Sequence, residues 1–577
     1  MNGFYGKILR INLKEKSFKT EIVADEVYMK YLGGKGLATY LMLKDELYNV
    51  DPLSDKNKII FAVGPITDTL IHGSSRYGVF TKSPLTGIYS ESYSGGDVGQ
   101  YISKTGFDSI IIEDKSDKPI FLEIKEGNVV FHDASNLWGK GTYETEDLIE
   151  EKIGKNVGIV TIGQAGENLV RFAVIENNYW RSAGRTGVGT ILGSKKVKAI
   201  VFHGNKTRKL NSEQDVKAFS KKTFERAKND AGVKAYKELG TPMLVAINNS
   251  IKGFPSKYWH QGTFEGWEKI SADAMKEVLN PKPKACPKCF MACGKLSEVR
   301  DGQHKGLKIE GPEYETIYAF GGLCLIDDLR EIAYLNDLCD NYGIDTITAG
   351  NLVAFTMEAS ELGKIDYKIS YGDSEKAAEL IQMMVFREGI GDILAEGIKY
   401  TSQKWNMEDI AIHVKGMEPA GYDPRILKGM GLAYATSPRG ACHLRSTFYK
   451  AELAGIIDKD KIEGKAEIFI DFENRLTIHD ALIVCRFYRD LYMWDELCEI
   501  VNVTTDLNVK KDSLITIAEN IIGLTKMFNL QCGLKKEDDK LPKRFFTEPL
   551  NEGKSILKKE DFEKMHEDYY RLRKWSN

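Results

Sequence analysis

At 577 residues the chain exceeds one small core, divides into several domains and has material to bury a cofactor. With 42% hydrophobic and 28% charged residues it is a globular protein, which excludes disorder and fibre. A formal net charge of −3 lacks the basic footprint of a general nucleic-acid binder.

The N-terminus, Met1-Asn2-Gly3-Phe4-Tyr5-Gly6-Lys7, has neither the charged nor the apolar region of a signal peptide, and apolar runs such as Leu482-Ile483-Val484 fall far short of the roughly 20 residues a bilayer requires. A cytoplasmic protein without a membrane span is expected.

Residues 1–208 read as a β-rich domain. Segments 6–13 and 18–23 alternate around a polar turn at Lys14-Glu15-Lys16-Ser17, a hairpin signal. Further short strands are predicted at 58–63, 109–112, 120–124, 129–131, 158–162, 170–175 and 197–202. Glycines collect at Gly33-Gly34-Lys35-Gly36, Ser94-Gly95-Gly96, Gly163-Gln164-Ala165-Gly166 and Gly184-Arg185-Thr186-Gly187-Val188-Gly189. The plain reading is turns between strands. With Arg76, Arg181 and Arg185 nearby, several such loops favour an anionic cofactor, because glycine lets backbone N–H groups approach a phosphate closely. No P-loop occurs, and the Rossmann context is missing.

From residue 209 the pattern turns helical, with helices predicted at 212–239 (Ser212 as N-cap, Gly240 as stop), 271–279, 327–342, 346–362, 374–387, 472–493, 513–528 and 559–575. Gly416, Pro419, Gly421 and Pro424 suggest a division into helical domains at 209–415 and 416–577. The fold class is therefore α+β, a β-sheet base followed by two mostly α-helical domains.

All nine cysteines lie at or beyond Cys286, and an odd count in such a chain is not a disulfide framework. Cys286-Pro287-Lys288-Cys289-Phe290-Met291-Ala292-Cys293 places three thiols within eight positions, and Cys485 stands far downstream in a predicted helix. A zinc ribbon needs a second CxxC or HxxxH nearby. Three close cysteines and a remote one suit a [4Fe–4S] cluster, with zinc and structural thiols as the alternatives. Lys282, Lys284, Lys288 and Lys295 flank the motif as a solvated face or as an attractor for an acidic electron carrier.

Several motifs gain meaning together: Ser74-Ser75-Arg76-Tyr77, Gly163-Gln164-Ala165-Gly166-Glu167-Asn168, Ala183-Gly184-Arg185-Thr186-Gly187, Gly311-Pro312-Glu313-Tyr314-Glu315, Asp340-Asn341-Tyr342-Gly343-Ile344-Asp345, Arg439-Gly440-Ala441-Cys442-His443-Leu444-Arg445 and Asp480-Ala481-Leu482-Ile483-Val484-Cys485. In this combination and order, over essentially the whole length, the chain resembles the tungsten-containing aldehyde:ferredoxin oxidoreductase family.

The resemblance implies a β base under a tungsten, or less often molybdenum, bis-pyranopterin, two helical domains above it and one [4Fe–4S] cluster close by. By motif it assigns Cys286, Cys289, Cys293 and Cys485 to the cluster. It places Arg76 between cluster and pterin, Gly95, Gly184 and Arg185 in cofactor-binding loops, and Ala183 at a Mg2+ ion bridging the pterin phosphates. Asp340, Gly343, Asp345 and Asp480 fall in the pterin-gripping turns, with Glu313 and His443 as the acid–base pair beside the metal. The implied activity is oxidation of a small aldehyde to a carboxylic acid, with electrons passing to ferredoxin or a small iron–sulfur subunit. The alternatives are the catalytic subunit of a complex reducing an acid or an aromatic acyl-CoA, and, from another class, a zinc-containing binding module.

The chain departs from the family pattern at Tyr93, where the other magnesium contact would have to be a main-chain carbonyl. It departs again at Tyr334, which follows Glu331 where an iron-bridging Glu-x-x-His would end, so a homo-oligomer would form without that bridge. Cys324 and Cys442 read as buried, apolar thiols.

Overall fold

The computed structural model describes residues 1–575. The first part of the chain builds two six-stranded sheets from successive sets of strands. β1 (Lys7–Asn12), β2 (Ser17–Ile22), β3 (Ile59–Ala62), β4 (Tyr77–Lys82), β5 (Tyr89–Ser94) and β6 (Ser109–Glu113) are ordered β2-β1-β6-β3-β4-β5. β7 (Ile120–Lys125), β8 (Asn128–Asp133), β9 (Gly158–Thr161), β10 (Ile175–Asn177), β11 (Arg181–Ala183) and β12 (Val197–His203) are ordered β11-β10-β9-β12-β7-β8. Each sheet has one parallel pair, β1 with β6 and β12 with β7, in an otherwise antiparallel order.

Alternate side chains of each strand serve different cores. Leu9, Ile59, Phe61, Ile110 and Ile112 of the first sheet meet Leu122, Ile124, Val160, Ile200 and Phe202 of the second, with Phe61 and Phe202 rings 5.8 Å apart. Ile8, Ile60, Ala62 and Ile111 point the other way, into a core shared with helices Gly34–Lys44, Trp494–Thr504 and Lys511–Gln531. The first sheet is thus covered on both faces, the second face by the C-terminal helices. A further core runs through the helical part of the chain to Tyr570 and takes in Ala165, Val170, Phe172 and Ala173 from the sheet part.

Several expectations change. Of the strand predicted at 170–175 only Ile175, the start of β10, is in a strand. The N–H and C=O groups of the rest bond outward, Arg171 to Ala395 and Val174 to Gly343, each at 2.9 Å, so those apolar residues belong to a clamped buried loop. The β-rich part also carries helices, among them Asp25–Tyr31, Gly34–Lys44, Thr142–Ile153 and Val188–Ser194.

Glycines in these helices permit close contact with neighbouring backbone. A Cβ at Gly36 would lie 1.9 Å from the Tyr31 carbonyl oxygen, and one at Gly193 would lie 1.8 Å from that of Gly166. The helix predicted at 212–239 is two, Glu213–Ala227 and Ala231–Glu238, because Asp230 takes an extended conformation and its side chain caps the second. The helix predicted at 472–493 is Lys465–Leu482 and ends before Cys485. Among the described residues no helix is long and apolar enough to cross a membrane.

Candidate active site

Two helix ends build the site on the same backbone turn. Helix Leu329–Tyr342 stops at Gly343 (φ +72°), and the Ile344 N–H reaches back to Cys339 O at 2.9 Å. Helix Lys465–Leu482 stops at Ile483 (φ +55°), and the Val484 N–H reaches His479 O at 3.0 Å. Asp340 and Asp480 hold equivalent places in the last turns, with a left-handed cap three residues on.

The turns then diverge. Asp345 caps helix Thr346–Glu361 through the N–H groups of Ile347 and Thr348. Cys485 is extended, not helical as expected, and its N–H donates to Gly73 O at 2.9 Å.

Cys286, Cys289 and Cys293 lie on the loop between β13 (Lys282–Lys284) and β14 (Gly294–Glu298), which pairs with β15 (Lys308–Glu310). All three and Cys485 are free thiols. Gly96 N–H donates to Cys286 Sγ at 3.3 Å, the Tyr488 hydroxyl lies 3.3 Å from Cys289 Sγ, and Arg76 Nη1 is 3.9 Å from Cys485 Sγ. Burial and then the neighbouring Cys485 push the Cys289 and Cys293 thiols up, so the four sulfurs share one electrostatic environment.

Among the described residues no three His, Cys, Asp or Glu side chains converge on a single ion position. Four free thiols close enough to influence one another's charge and receiving polar donors fit a polynuclear cluster, whose ligands bind separate irons. A mononuclear zinc would draw its ligands to about 2.3 Å from one point.

Beside them is a cavity of about 300 Å³, partly open to solvent. Arg76, Gly184, Arg185, Glu313, His443 and Asp480, all expected at the site, line it. Asp480 is held by Arg445 at 2.8 Å and Arg486 at 2.6 Å. Arg445 also meets Glu91 at 2.9 Å, which Lys35 holds at 2.9 Å from the other side. Arg185 approaches Asp345 at 3.2 Å and donates to Glu418 O at 2.7 Å, tying the sheet base to the helical part.

Arg439 Nε, Arg445 Nε, Glu315 Oε1 and His443 Nδ1 are buried at this wall without hydrogen-bond partners in the protein. A guanidinium-rich cavity with orphaned polar atoms fits an anionic cofactor carrying phosphates and ring heteroatoms.

Other expected residues stand outside the cavity. Gly95 packs against the cysteine loop, where a Cβ would lie 3.1 Å from Cys286 Sγ. Ala183 is buried at the end of β11, opposite Ile175. Asp340 accepts from Asn336 Nδ2 at 2.7 Å and is pushed well up by burial and by Glu176. Tyr93, by contrast, lines the cavity, and its carbonyl accepts from Arg76 Nη2 at 3.3 Å.

Glu313 and His443 line one cavity, but the acidic neighbour of His443 is Glu315, with Oε1 3.4 Å from Nε2. Glu313 instead accepts from the Thr241 hydroxyl, and burial raises its pKa. Burial and then Arg185 hold His443 well below the usual imidazole range. Glu315 stood in the Gly-Pro-Glu-Tyr-Glu motif, yet nothing in the string says that a residue more than a hundred positions away faces it.

Cys442 is not an inert apolar thiol. Burial alone would raise it, but Arg439, donating at 3.0 Å, and Arg445 outweigh that and bring it down to about 7. Cys324 is raised by burial, as a core thiol should be. The lysine face is also depleted. Lys295 is buried and donates to Tyr236 O and Cys293 O, each at 3.0 Å, while Lys284 pairs with Glu310 at 3.2 Å and Lys288 with Asp68 at 3.2 Å.

Among known proteins, the family model for aldehyde ferredoxin oxidoreductase, N-terminal domain, matches residues 8–204, and that for domains 2 and 3 matches residues 218–577. The tungsten-containing aldehyde ferredoxin oxidoreductase of Pyrococcus furiosus is 36% identical over 100% of this chain and 97% of its own length. An aliphatic sulfonate oxidoreductase, WOR-like subunit, of the same organism is 26% identical over 96% of this chain and 91% of its own. A chain from the active-site complex BamBC of benzoyl coenzyme A reductase, in complex with 1,5-dienoyl-CoA, shares the fold at a TM-score of 0.85 and 22% identity, over 100% of this chain and 95% of that one. The sheet base with its helical cover, the two family models and the full-length similarity make this chain a member of the tungsten-containing aldehyde ferredoxin oxidoreductase family.

Proposed function

We propose that the protein oxidises an aldehyde to its carboxylic acid at a tungsten bis-pyranopterin and delivers two electrons, one at a time, through one [4Fe–4S] cluster to ferredoxin or an iron–sulfur partner subunit. The observation that carries the reading is the continuity of one site, in which Arg76 lines the cavity that holds Glu313 and His443 and also reaches Cys485 Sγ. Asp480, Arg185 and the turn at Asp340, Gly343 and Asp345 would hold the two pterins, with Ala183 O toward a Mg2+ ion. Cys286, Cys289, Cys293 and Cys485 would hold the cluster. When bound, the metal–pterin group supplies a two-electron acceptor and a Lewis acid.

The chain's own residues handle water, protons and orientation. Glu313, its carboxyl raised by burial and so made a stronger base, is placed to take a proton from the attacking water. His443, kept neutral by burial and by surrounding arginines, offers a hydrogen bond to the carbonyl oxygen. Leu244, Tyr422, Tyr449 and Phe487 give the cavity an apolar wall suited to an uncharged substrate. The balance is aldehyde plus water to acid, two protons and two electrons.

The test is metal analysis of protein purified without oxygen, joined to aldehyde-dependent reduction of ferredoxin. About one tungsten and about four irons per chain are expected, with turnover on at least one aldehyde. Zinc alone, without iron, tungsten or molybdenum, would sink the reading.

A further inference from the structure

We propose that Glu315, carrying its proton, donates to Nε2 of His443 and so fixes this histidine as the Nδ1–H tautomer, with Nδ1–H as the donor offered to whatever occupies the cavity. The proposal rests on the oxidoreductase reading for what that donor serves, though not for the pair itself.

Three observations carry it. Glu315 Oε1, buried and without another partner in the protein, stands 3.4 Å from His443 Nε2, while Glu315 Oε2 accepts the Gly421 N–H at 2.9 Å, so the carboxyl is anchored on one oxygen and leaves the other beside the imidazole, where an acid proton could bridge to Nε2. His443 Nδ1 is buried and has no protein partner. Both side chains line the cavity. Which nitrogen of a neutral imidazole carries the proton is set by the hydrogen bond at the other one. With the acid proton on Glu315, Nε2 must accept and Nδ1 must donate.

The surroundings favour that placement of the proton. Arg185 faces Glu315 from the sheet base, Asp345 from a helix N-terminus and Cys442 from the loop that also bears His443, with the Tyr422 and Tyr434 hydroxyls around it. Burial dominates and pushes Glu315 up to about 8, since Arg185 and the Gly421 N–H only partly offset it. His443, depressed by burial and then by Arg185, Arg439, Arg445 and Arg486, does not compete for the proton at neutral pH. Glu315 is therefore a positioning residue acting through His443. Glu313, tied to Thr241, has no part in the pair.

Infrared difference spectroscopy of the purified holoenzyme across a pH titration reads the proton directly. A carboxylic-acid C=O band that titrates near pH 8 and is missing from Glu315→Gln is expected. Subtracting the variant removes the other raised carboxyls, such as Glu176 and Glu418, from the comparison.

Kinetics separate positioning from bulk. Glu315→Gln can still donate an N–H to Nε2 and should keep turnover within about threefold while losing the alkaline limb of the pH–rate profile. Glu315→Leu, which cannot donate, should lose about 100-fold. No wild-type-minus-Gln acid band, or a Gln variant as impaired as Leu, would overturn the proposal. If the oxidoreductase reading itself failed, metal analysis would show it, and the infrared difference would still report on the pair.

Discussion

Glu313 is fastened by a single side chain, and that makes its protonation adjustable. The Thr241 hydroxyl donates to Glu313 Oε2 and stabilises the ionised carboxylate, partly offsetting the rise that burial causes. Removing the donor raises the carboxyl further, so Thr241→Val should move the acid limb of the kcat/KM profile to higher pH. The alkaline limb, which belongs to Glu315, should stay in place. The Tyr314 N–H, which donates to Thr241 Oγ1 at 2.9 Å, loses its acceptor in that variant, so a modest loss of thermal stability should accompany the shift. Glu313→Gln keeps the hydrogen bond and the volume but cannot accept a proton. Turnover should fall by about 10² to 10⁴ with tungsten and iron content unchanged. Metal content falling in step with activity would mark Glu313 as a structural residue.

The paired helix ends show how one turn can be built from unlike sequences. Gly343 tolerates its left-handed backbone without strain, whereas the buried Ile483 holds φ +55° against the ordinary preference of a β-branched residue. Gly343→Ala should cost at least about 1–2 kcal/mol for the backbone alone. The added Cβ would also press on Gly163 N at 2.8 Å, in the loop that Gly343 packs against. Lower thermal stability together with reduced pterin content would follow if this turn grips the cofactor. Lower stability with full pterin content would confine the turn to a structural role.

The same contrast explains what could be read in advance. Strands such as β1, β3 and β6 were legible because their residues alternate between two cores. β4 and β5 were not, because Tyr77–Lys82 and Tyr89–Ser94 are buried with many polar side chains that face the site and its supporting network. Glycine at 33–36 and 187–189 suggests loops in a string, yet here it marks helices packed directly on backbone. The cysteine motif was visible in its spacing, the aspartate motifs only through the family resemblance. The partnership of Glu315 with His443, and the arginines that lower Cys442, exist only once distant segments meet.

Taken together, the buried carboxyls make stability depend on pH in an unusual direction. Burial holds Glu146 and Glu418 up at about 7, and Glu176 and Glu315 at about 8. Each binds its proton more tightly folded than unfolded, so its contribution is fully present below the usual glutamate range and is lost as pH rises through the folded value. Glu91 runs the other way. Burial opposes its charge, but Arg445 and Lys35 prevail and hold it near 2, so its contribution is present above the unfolded value and is lost only in strong acid. Glu91 is ionised in both states from pH 5 to 8, whereas His413, His443 and His479, held neutral by burial, oppose the four carboxyls up to the ordinary imidazole value of about 6.5, and Cys442 opposes them above about 7. Cofactor-free protein should therefore lose stability as pH rises from about 6.5 to 8, where the histidines no longer titrate and four carboxyls outweigh one thiol. Each group should contribute up to about 1.4 kcal/mol per pH unit while it is protonated only in the folded state. Denaturant unfolding at a series of pH values measures the slope, and Glu176→Gln, which keeps the bond from the Ser182 hydroxyl to Oε1 possible, should remove one group's share of it. An unchanged slope in that variant would mean that Glu176 is ionised in the folded protein despite its burial.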